Sequence, residues 1–270
     1  MKARYKKTNT WNYAFAIGKI RALEKFLITN EVFEEAVGLE LSQALRLFVE
    51  ADLYAETLLE VKNSQGLEQA LNQELLKVKK LIQGLLLDKK LAYLLEMDNL
   101  TEAKKLVRSY HNEFLSDYIM HAIDMHNIKT FLRLRILKEP QARLKENLTE
   151  EGFIKKDFFL SLYDQNILVF LSGLEYVRKR QSMVDYAYFL KEPIQKLEKD
   201  NSFVSLEKAI QDYMIQILKP AKYLSSGPEP LLAYYFAKVN EINLMRMIIL
   251  AKLNQLDTAA VKERLNSVYA

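Results

Sequence analysis

Residues 230–254 are the most informative about the fold, and they read PLLAYYFAKVNEINLMRMIILAKLN. A proline opens the stretch, no later proline or glycine interrupts it, and most of its faces are apolar, so we predict one long buried helix. Arg246 lies in its most apolar part, where an unpaired charge is costly. Glu241, five residues earlier, points to a different side of the helix. We therefore expect the partner of Arg246 to come from another segment or from the C-terminus of another helix.

The composition also favours helices. Of 270 residues only 7 are Gly and 5 are Pro, half are hydrophobic and 27% are charged. Abundant helix formers with few helix breakers are typical of an all-α chain. Runs of alternating apolar and polar residues are missing, and so are Asn-Gly and Asp-Gly hairpin turns. We therefore predict an all-α fold, with residues 1–270 forming one helical protein.

Apolar spacing and capping residues predict where the helices begin and end. Asp52 is expected to cap one helix, residues 63–66 to form a loop, and Pro193 to start or follow a turn. Ser172-Gly173 can break the helix that contains it. A short helix capped by Thr29 or Asn30 is expected to end at Gly38. The other predicted helices cover residues 12–28, 43–50, 53–62, 67–85, 101–112, 115–137, 155–164, 167–189, 206–218, 230–254 and 258–268.

Charge and cysteine content restrict the function. The chain has 39 basic and 35 acidic residues, a net charge of +4, whereas a nucleic-acid-binding domain is usually more strongly basic. No Cys is present, which excludes disulfides and thiolate metal sites. The longest uncharged runs, residues 8–18 and 165–174, are shorter than the roughly 18 apolar residues of a membrane-spanning helix. We expect no nucleic-acid partner and only indirect contact with a membrane.

An internal repeat relates the end of the chain to its middle. Residues match without gaps at an offset of 117 positions, so that Asp124 corresponds to Glu241 and Lys129 to Arg246. A weaker N-terminal copy aligns Arg21 with Lys129 and Arg246. The alternative is that amphipathic helices share a period without being repeats. The other matched positions are Tyr118 with Tyr235, Arg135 with Lys252, and residues 145–148 with residues 262–265.

The repeat places a basic residue inside an apolar helix in each of three approximate segments, residues 1–95, 96–185 and 186–270. Two interpretations follow. The polar side chains either form satisfied ion pairs in the interior, or line an inner wall that receives another protein. The candidate partner-binding or inner-wall residues are Arg21, Asp124, Asn127, Lys129, Glu241 and Arg246.

Three segments, taken in order, carry a resemblance to a known family. Residues 11–24 (WNYAFAIGKIRALE) combine a Tyr-containing start with small residues and an Arg. Residues 123–133 (IDMHNIKTFLR) contain an Asp-x-x-Asn-Ile-Lys pattern. Residues 230–246 continue into an isoleucine-rich run and a Lys-Leu-Asn step. The chain thereby resembles the family of V-type ATPase C subunits, which is related to the d subunit of the eukaryotic V-ATPase.

The chain departs from the family pattern at several positions. Leu244 stands where the family often has Asn, which puts in doubt any hydrogen bond carried over to that position. Ala251 and Gln255 replace glycines that are common in the closing helix, and Glu151-Gly152 holds one glycine where a pair is frequent. We expect the fold of the family despite these changes.

The resemblance implies a fold and a role. It implies three similar helical segments around a pseudo-threefold axis, which together form a funnel. It also implies a non-catalytic subunit, peripheral to the membrane on its cytoplasmic face. The partners would be the central shaft subunits of a V-type ATPase and its membrane rotor ring, and the protein would transmit torque for the transport of protons or sodium ions.

No motif for catalysis is recognisable in the sequence. A P-loop, the dinucleotide-binding Gly-x-Gly-x-x-Gly, Gly-x-Ser-x-Gly and His-Glu-x-x-His are all missing. His121 and Asp124 can share a helix face, but His126 is displaced from them and a metal site is not expected. We expect no catalytic residue, no metal and no cofactor.

Basic clusters leave further interpretations open. They lie at residues 77–80, 89–90 and 178–180, and such clusters are usually solvated helix faces. They can also contact acidic partner loops or anionic lipid headgroups. The main alternative to a rotary-motor subunit is a helical-repeat scaffold that binds other proteins. An RNA-binding helical protein and an enzyme are weaker alternatives.

Overall fold

The computed structural model describes residues 13–51, 55–96, 99–180 and 185–270. Over these residues the chain is helical and contains no strand, which confirms the all-α fold class. Short 3-10 helices cover Ala55–Glu60, Lys89–Leu95 and Lys219–Tyr223. The α-helices are α1 (Ala14–Glu24), α2 (Asn30–Gly38), α3 (Leu41–Ala51), α4 (Ser64–Leu85), α5 (Leu100–Ser109), α6 (Glu113–Ile136), α7 (Gln141–Asn147), α8 (Lys156–Leu162), α9 (Ile167–Arg180), α10 (Tyr186–Asp200), α11 (Val204–Leu218), α12 (Glu229–Leu253) and α13 (Thr258–Arg264).

The chain divides into two compact units. Unit 1 comprises Met1–Glu96 and Ile215–Ala270, so it joins the N-terminal part of the chain to the C-terminal part. Unit 2 comprises Met97–Met214. The three segments expected from the sequence, residues 1–95, 96–185 and 186–270, stay a prediction.

Unit 1 is built around α12. This helix is apolar on nearly every side, and α1, α2, α3, α4 and α13 all pack against it. Leu231, Ile248 and Ile249 are fully buried, as expected for a helix that is hydrophobic all round. Residues 230–254 thus lie in one long buried helix, as predicted, and this helix is the centre of unit 1.

Unit 2 has its own core around α6. Phe131 on α6 stacks on Phe170 of α9 with ring centroids 4.4 Å apart, and Phe159 of α8 packs beside both. These three aromatic side chains have no exposed surface. Large buried rings contribute much of the apolar area that stabilises such a core.

Three local predictions were wrong. Residues 63–66 do not form a loop; Asn63 is the N-cap of α4 and its side chain accepts a hydrogen bond from the Gly66 amide. Pro193 lies inside α10 rather than at a turn. The helix predicted over residues 167–189 is two helices, α9 and α10, although Gly173 does not break α9. Asp52 as a cap and the helix start at residue 12 lie outside the described residues.

The repeat at an offset of 117 extends to helix ends and turns. The pair α6–α7 corresponds to α12–α13, and α7 and α13 begin and end at equivalent positions. After the long helices, Lys138 and Gln255 both adopt a left-handed conformation with φ of 53°. Each is followed by an amide that donates to the carbonyl five residues earlier, from Glu139 to Leu134 and from Leu256 to Ala251. A shared helical period alone would not produce matching turns.

A second correspondence is visible only in the structure. The helices α8 and α9 begin 126 positions after α2 and α3, at Lys156 and Ile167 against Asn30 and Leu41. Phe33 of α2 corresponds to Phe159 of α8, and both are fully buried. The two short helices thus bury a phenylalanine at the same position. Unit 2 therefore contains the order α6–α7–α8–α9, and unit 1 builds the same order from α12–α13 and the N-terminal α2–α3.

Candidate functional site: charged brackets on the two long helices

The carboxylate of Asp124 in the middle of α6 binds the chain just before α8. It is fully buried, and its oxygens accept hydrogen bonds from the amides of Phe153 and Ile154, each at 3.1 Å. The hydroxyl of Tyr186 donates a third, 2.7 Å long. Because free amides and a partial positive charge occur at a helix N-terminus, an acidic group there is stabilising.

A basic residue further along α6 binds the other end of α8. The Arg135 guanidinium donates to the carbonyls of Tyr163, of Gln165 at 2.7 Å and of Leu162 at 3.5 Å. These carbonyls close the C-terminus of α8, where a positive charge is stabilising. Asp124 and Arg135 thus form a bracket, which we call the α6 bracket, around one short helix.

The long helix of unit 1 holds α2 in the same way. Glu241 accepts a hydrogen bond of 2.8 Å from the amide of Ile28, just before α2. The Lys252 ammonium donates to the carbonyls of Val37, at 3.0 Å, and Leu39, which end α2. Glu241 and Lys252 form the α12 bracket.

Helix geometry explains why these four residues can act in pairs. Asp124 and Arg135 are eleven positions apart, and so are Glu241 and Lys252. Eleven residues make about three turns and a rise of about 16 Å, so both side chains leave the same face of the long helix. A short helix of 7 or 9 residues fits between them. An acidic residue at the N-terminus and a basic residue at the C-terminus of the short helix match the polarity of its dipole.

Gly152 shows how tightly Asp124 is enclosed. A Cβ atom at this position would lie 2.1 Å from Asp124 Oδ1 and 3.1 Å from the Ile123 Cγ2. We expect Gly152→Ala to lower the free energy of unfolding by about 1–3 kcal/mol, because overpacking forces the bracket apart. Gly84→Ala in α4 is the matched control, since nothing lies within 4 Å of its Cβ position. If Gly152→Ala and Gly84→Ala had equal free energies of unfolding in urea, this interpretation would be wrong.

Asn127 joins α6 to the segment after α7. Its side chain donates to the carbonyl of Thr149 and accepts from the amide of the same residue, both at 2.8 Å. The equivalent position on α12 is Leu244, which is buried and cannot make these bonds. Asn240, one turn earlier, instead donates to the Ser267 carbonyl at 3.2 Å. The expected loss of a hydrogen bond at Leu244 is thus offset by a neighbouring residue.

The two brackets differ in how the buried acid is neutralised. In unit 1 the Lys238 ammonium lies 2.7 Å from Glu241, and both side chains are buried. The equivalent position in unit 2 holds His121, whose Nδ1 lies 2.7 Å from the Tyr186 hydroxyl that donates to Asp124. Tyr213 places its hydroxyl 3.1 Å from the same nitrogen. An ammonium–carboxylate pair in one unit is therefore replaced by a His–Tyr–Asp hydrogen-bond network in the other.

Burial dominates the acid–base properties of the unit 2 network. It raises the pKa of Asp124 to about 7, although the hydrogen bonds from Tyr186 and the two amides lower it. It lowers the pKa of His121 to about 4. It also raises the pKa of Tyr186, with the nearby Asp124 carboxylate contributing in the same direction. Both His121 and Asp124 thus favour their neutral forms in this site.

Arg246 and Arg21 have partners of the predicted kinds. The Arg246 Nε donates to both carboxylate oxygens of Glu68 on α4, at 3.0 and 3.2 Å. Arg21 pairs with Glu24 at 2.6 Å and donates to the carbonyls of Ala221 and Leu224 around the end of a 3-10 helix. The Arg246 side chain is 26% exposed and that of Glu68 43%, so this ion pair is only partly buried.

The predicted site residues thus fall into two groups. Asp124, Asn127 and Glu241 are buried and hold backbone groups of their own unit. Arg21, Lys129 and Arg246 are only half-buried, and in the described part of the chain Lys129 makes no hydrogen bond or ion pair. The second group offers accessible charge to a partner, and its role in binding stays a prediction.

The basic clusters, a metal site and a membrane-spanning helix were considered as further functional features. Lys77 and Lys79 of the first basic cluster pair with Glu74 and Glu96, and the side chains at 178–180 lie outside the described residues. Within the described ranges no group of His, Asp and Glu is arranged to hold a metal ion. Across those same ranges no helix combines the length and the apolar character needed to cross a bilayer.

Fold and contacts define an all-helical protein in which one helical module occurs twice and each copy holds a short helix between an acidic and a basic residue. The chain belongs to the ATP synthase (C/AC39) subunit family, whose model matches residues 86–264. This confirms the resemblance drawn from the sequence, and the match includes the middle and closing motifs.

One similar relative is the C subunit of the V-type sodium ATPase of Enterococcus hirae. The two are 30% identical over 170 residues, which is 63% of this chain and 49% of the relative. The aligned region therefore spans about half of the length of that relative.

Proposed function

We propose that the chain is a non-catalytic central-stalk subunit of a V-type ATPase or ATP synthase. In this role it links the shaft subunits to the membrane rotor ring and transmits torque for ion transport. The observation that carries the proposal is the family match over residues 86–264, together with the likeness to the C subunit of a V-type sodium ATPase. The funnel of three segments around a pseudo-threefold axis, and a peripheral position on the cytoplasmic face of the membrane, are parts of the same proposal.

The bracketed helices suit a mechanical task. A protein that transmits torque must resist bending, and close-packed interiors transmit strain. Each bracket fixes a short helix at both ends through buried or half-buried charges, so the helix cannot slide along its long neighbour without breaking hydrogen bonds. Arg21, Lys129 and Arg246 are the residues that we propose contact a partner.

Recovery from native membranes tests the proposal. A tagged chain should co-purify with the shaft subunits and the rotor ring of a V-type ATPase. Recovery without these subunits, but with unrelated proteins, would favour the helical-repeat scaffold instead. Retention on RNA that falls steeply with salt would favour the RNA-binding alternative.

Charge reversal at Arg246 separates assembly from folding. Because Arg246 and Glu68 are both partly exposed, Arg246→Glu should lower the free energy of unfolding by about 1 kcal/mol or less. It should nevertheless reduce recovery with the shaft and ring. The double reversal Glu68→Arg with Arg246→Glu restores the ion pair and the stability, but not the assembly. Full assembly of Arg246→Glu would show that this residue contacts no partner.

A further inference from the structure

The helix α9 of unit 2 exposes apolar side chains along one face. Leu168, Val169 and Tyr176 are 57%, 45% and 64% exposed, and the small Ser172 lies exposed between them. At 100° per residue these four positions fall within about a third of the helix circumference. The opposite face, with Phe170, is buried in the core of unit 2.

The equivalent helix of unit 1 is an internal control. The helix α3 has the same sequence of exposed and buried positions, since Ala44 and Leu45 are buried like Phe170 and Leu171. Its exposed positions are occupied by polar residues: Ser42, Gln43, Arg46 and Glu50 stand where α9 has Leu168, Val169, Ser172 and Tyr176. The fold therefore does not require apolar residues on this face, and their presence on α9 alone calls for a ligand.

We infer that the α9 face, defined as Leu168, Val169, Ser172 and Tyr176, binds an amphipathic helix of another protein with acidic residues beside its apolar stripe. Val169, Ser172 and Tyr176 are spaced at i, i+3 and i+7, which suits packing against the anchors of a helical ligand. The inference rests on the α9 face and not on the proposed function.

Charge indicates that the ligand is acidic. The acidic residue beside the face, Glu175, lies 3.9 Å from Lys191 of α10, which offsets its charge. In the sequence α9 ends with the basic residues Arg178, Lys179 and Arg180, whose side chains lie outside the described residues. An apolar stripe that leads into a basic terminus is complementary to a ligand with an apolar stripe and acidic residues.

The small apolar area of the α9 face argues against two other binding partners. A second copy of the chain would need about 800 Å² from each partner, and three apolar side chains do not supply that. Stable attachment to a membrane surface needs a larger buried apolar area than this face has. A helical ligand needs only a few anchoring side chains, because hot spots carry most of the affinity.

The experiment replaces the α9 face with the residues that α3 carries at the same places. A triple variant, Leu168→Ser, Val169→Gln and Tyr176→Glu, should keep the circular dichroism spectrum and melting temperature of the parent, because α3 tolerates these residues at equal exposure. The probe is a fluorescent helical peptide with leucines at i, i+3, i+4 and i+7 and flanking glutamates. A second peptide has lysines in place of the glutamates.

The acidic peptide should bind the parent saturably, and the triple variant and the lysine peptide should each weaken binding about tenfold or more. The matched control, Gln43→Ser with Glu50→Gln on α3, should retain the parent affinity. Equal binding of both peptides, or an unaffected triple variant, would overturn the inference. So would α9-dependent dimerisation in sedimentation, or α9-dependent recruitment to phosphatidylglycerol vesicles, because either would name a different occupant.

Discussion

Replacing Lys238 by methionine should lower the free energy of unfolding by about 3–5 kcal/mol, because it leaves the buried Glu241 carboxylate without its positive partner. The Lys238 ammonium lies 2.7 Å from that carboxylate, and the two side chains are 3% and 2% exposed. Glu241 also holds the amide of Ile28, so the penalty acts on the attachment of α2. Urea unfolding at neutral pH measures the change.

A double variant shows that the loss comes from the stranded charge. Lys238→Met with Glu241→Gln removes both charges but keeps a side-chain oxygen that can accept from the Ile28 amide. We expect the double variant to be more stable than Lys238→Met alone, since replacing both members of a buried pair is often nearly neutral. A single variant that loses less than about 1 kcal/mol would show that water reaches Glu241.

The second large effect is a pH dependence that appears when Asp124 is replaced by asparagine. The pKa of Asp124 is raised from 3.8 in the unfolded chain to about 7 in the folded protein. Between these values the folded protein binds the extra proton, so the contribution of Asp124 to stability falls as the pH rises. His121 behaves oppositely, because its pKa is lowered from 6.5 to about 4. Its contribution falls as the pH drops through that range.

In the parent, the contributions of Asp124 and His121 to the free energy of unfolding change with pH in opposite directions, each by about 1.4 kcal/mol per pH unit. They therefore cancel over most of the range from pH 4 to 6.5. Asp124→Asn removes the pH dependence that Asp124 contributes and leaves that of His121. Relative to the parent, the variant should therefore lose about 3 kcal/mol of stability as the pH falls from 6.5 to 4. His121→Gln should show the reverse difference from the parent, a loss of stability as the pH rises from about 4 to 6.5. When the stability–pH profile of a variant is subtracted from that of the parent, the contributions of groups that titrate equally in both proteins cancel.

Other titratable groups near the network are Tyr186 and Tyr213, which face His121 from α10 and α11, and Asp117 on α6, whose charge acts on Tyr186. Tyr186 does not ionise below pH 7 in this site, since burial raises its pKa. Parallel profiles of the parent and Asp124→Asn between pH 4 and 6.5 would show that Asp124 keeps an ordinary pKa. The network would then be a fixed contact like its counterpart in unit 1.

Much of the fold was predictable because helix signals are local. The helix predicted with Thr29 or Asn30 as its cap and Gly38 as its end is α2, whose N-cap is Thr29. The helices α6 and α12 differ from their predictions by one or two residues at each end. Their apolar spacing and capping residues lie within the helices themselves. The errors at residues 63–66 and at Pro193 have different causes. Local signals for a turn also occur at a helix start, and tertiary packing can retain a proline inside a helix.

The candidate site was only partly predictable. The offset of 117 positions brought Asp124, Glu241, Arg135 and Lys252 into correspondence, and Arg246 was expected to pair outside its own helix. His121, Tyr186 and Lys238 were missed as members of the bracket network. The pairing of Lys238 with Glu241 at i, i+3 is a signal that could have been read from the sequence. Tyr186 comes from a distant helix and has no such signal.

The all-α class, the long helices, the repeat of α6–α7 in α12–α13 and the family all follow from the order of residues along the chain. They depend on apolar periodicity, capping and residue identity at neighbouring positions. The folded arrangement was needed to find that α2 takes in unit 1 the place of α8 in unit 2, and that the buried acids bind Ile28 and Ile154. The groups being bound are backbone amides and carbonyls, which nearly every residue carries, so no side-chain pattern marks them before the chain folds.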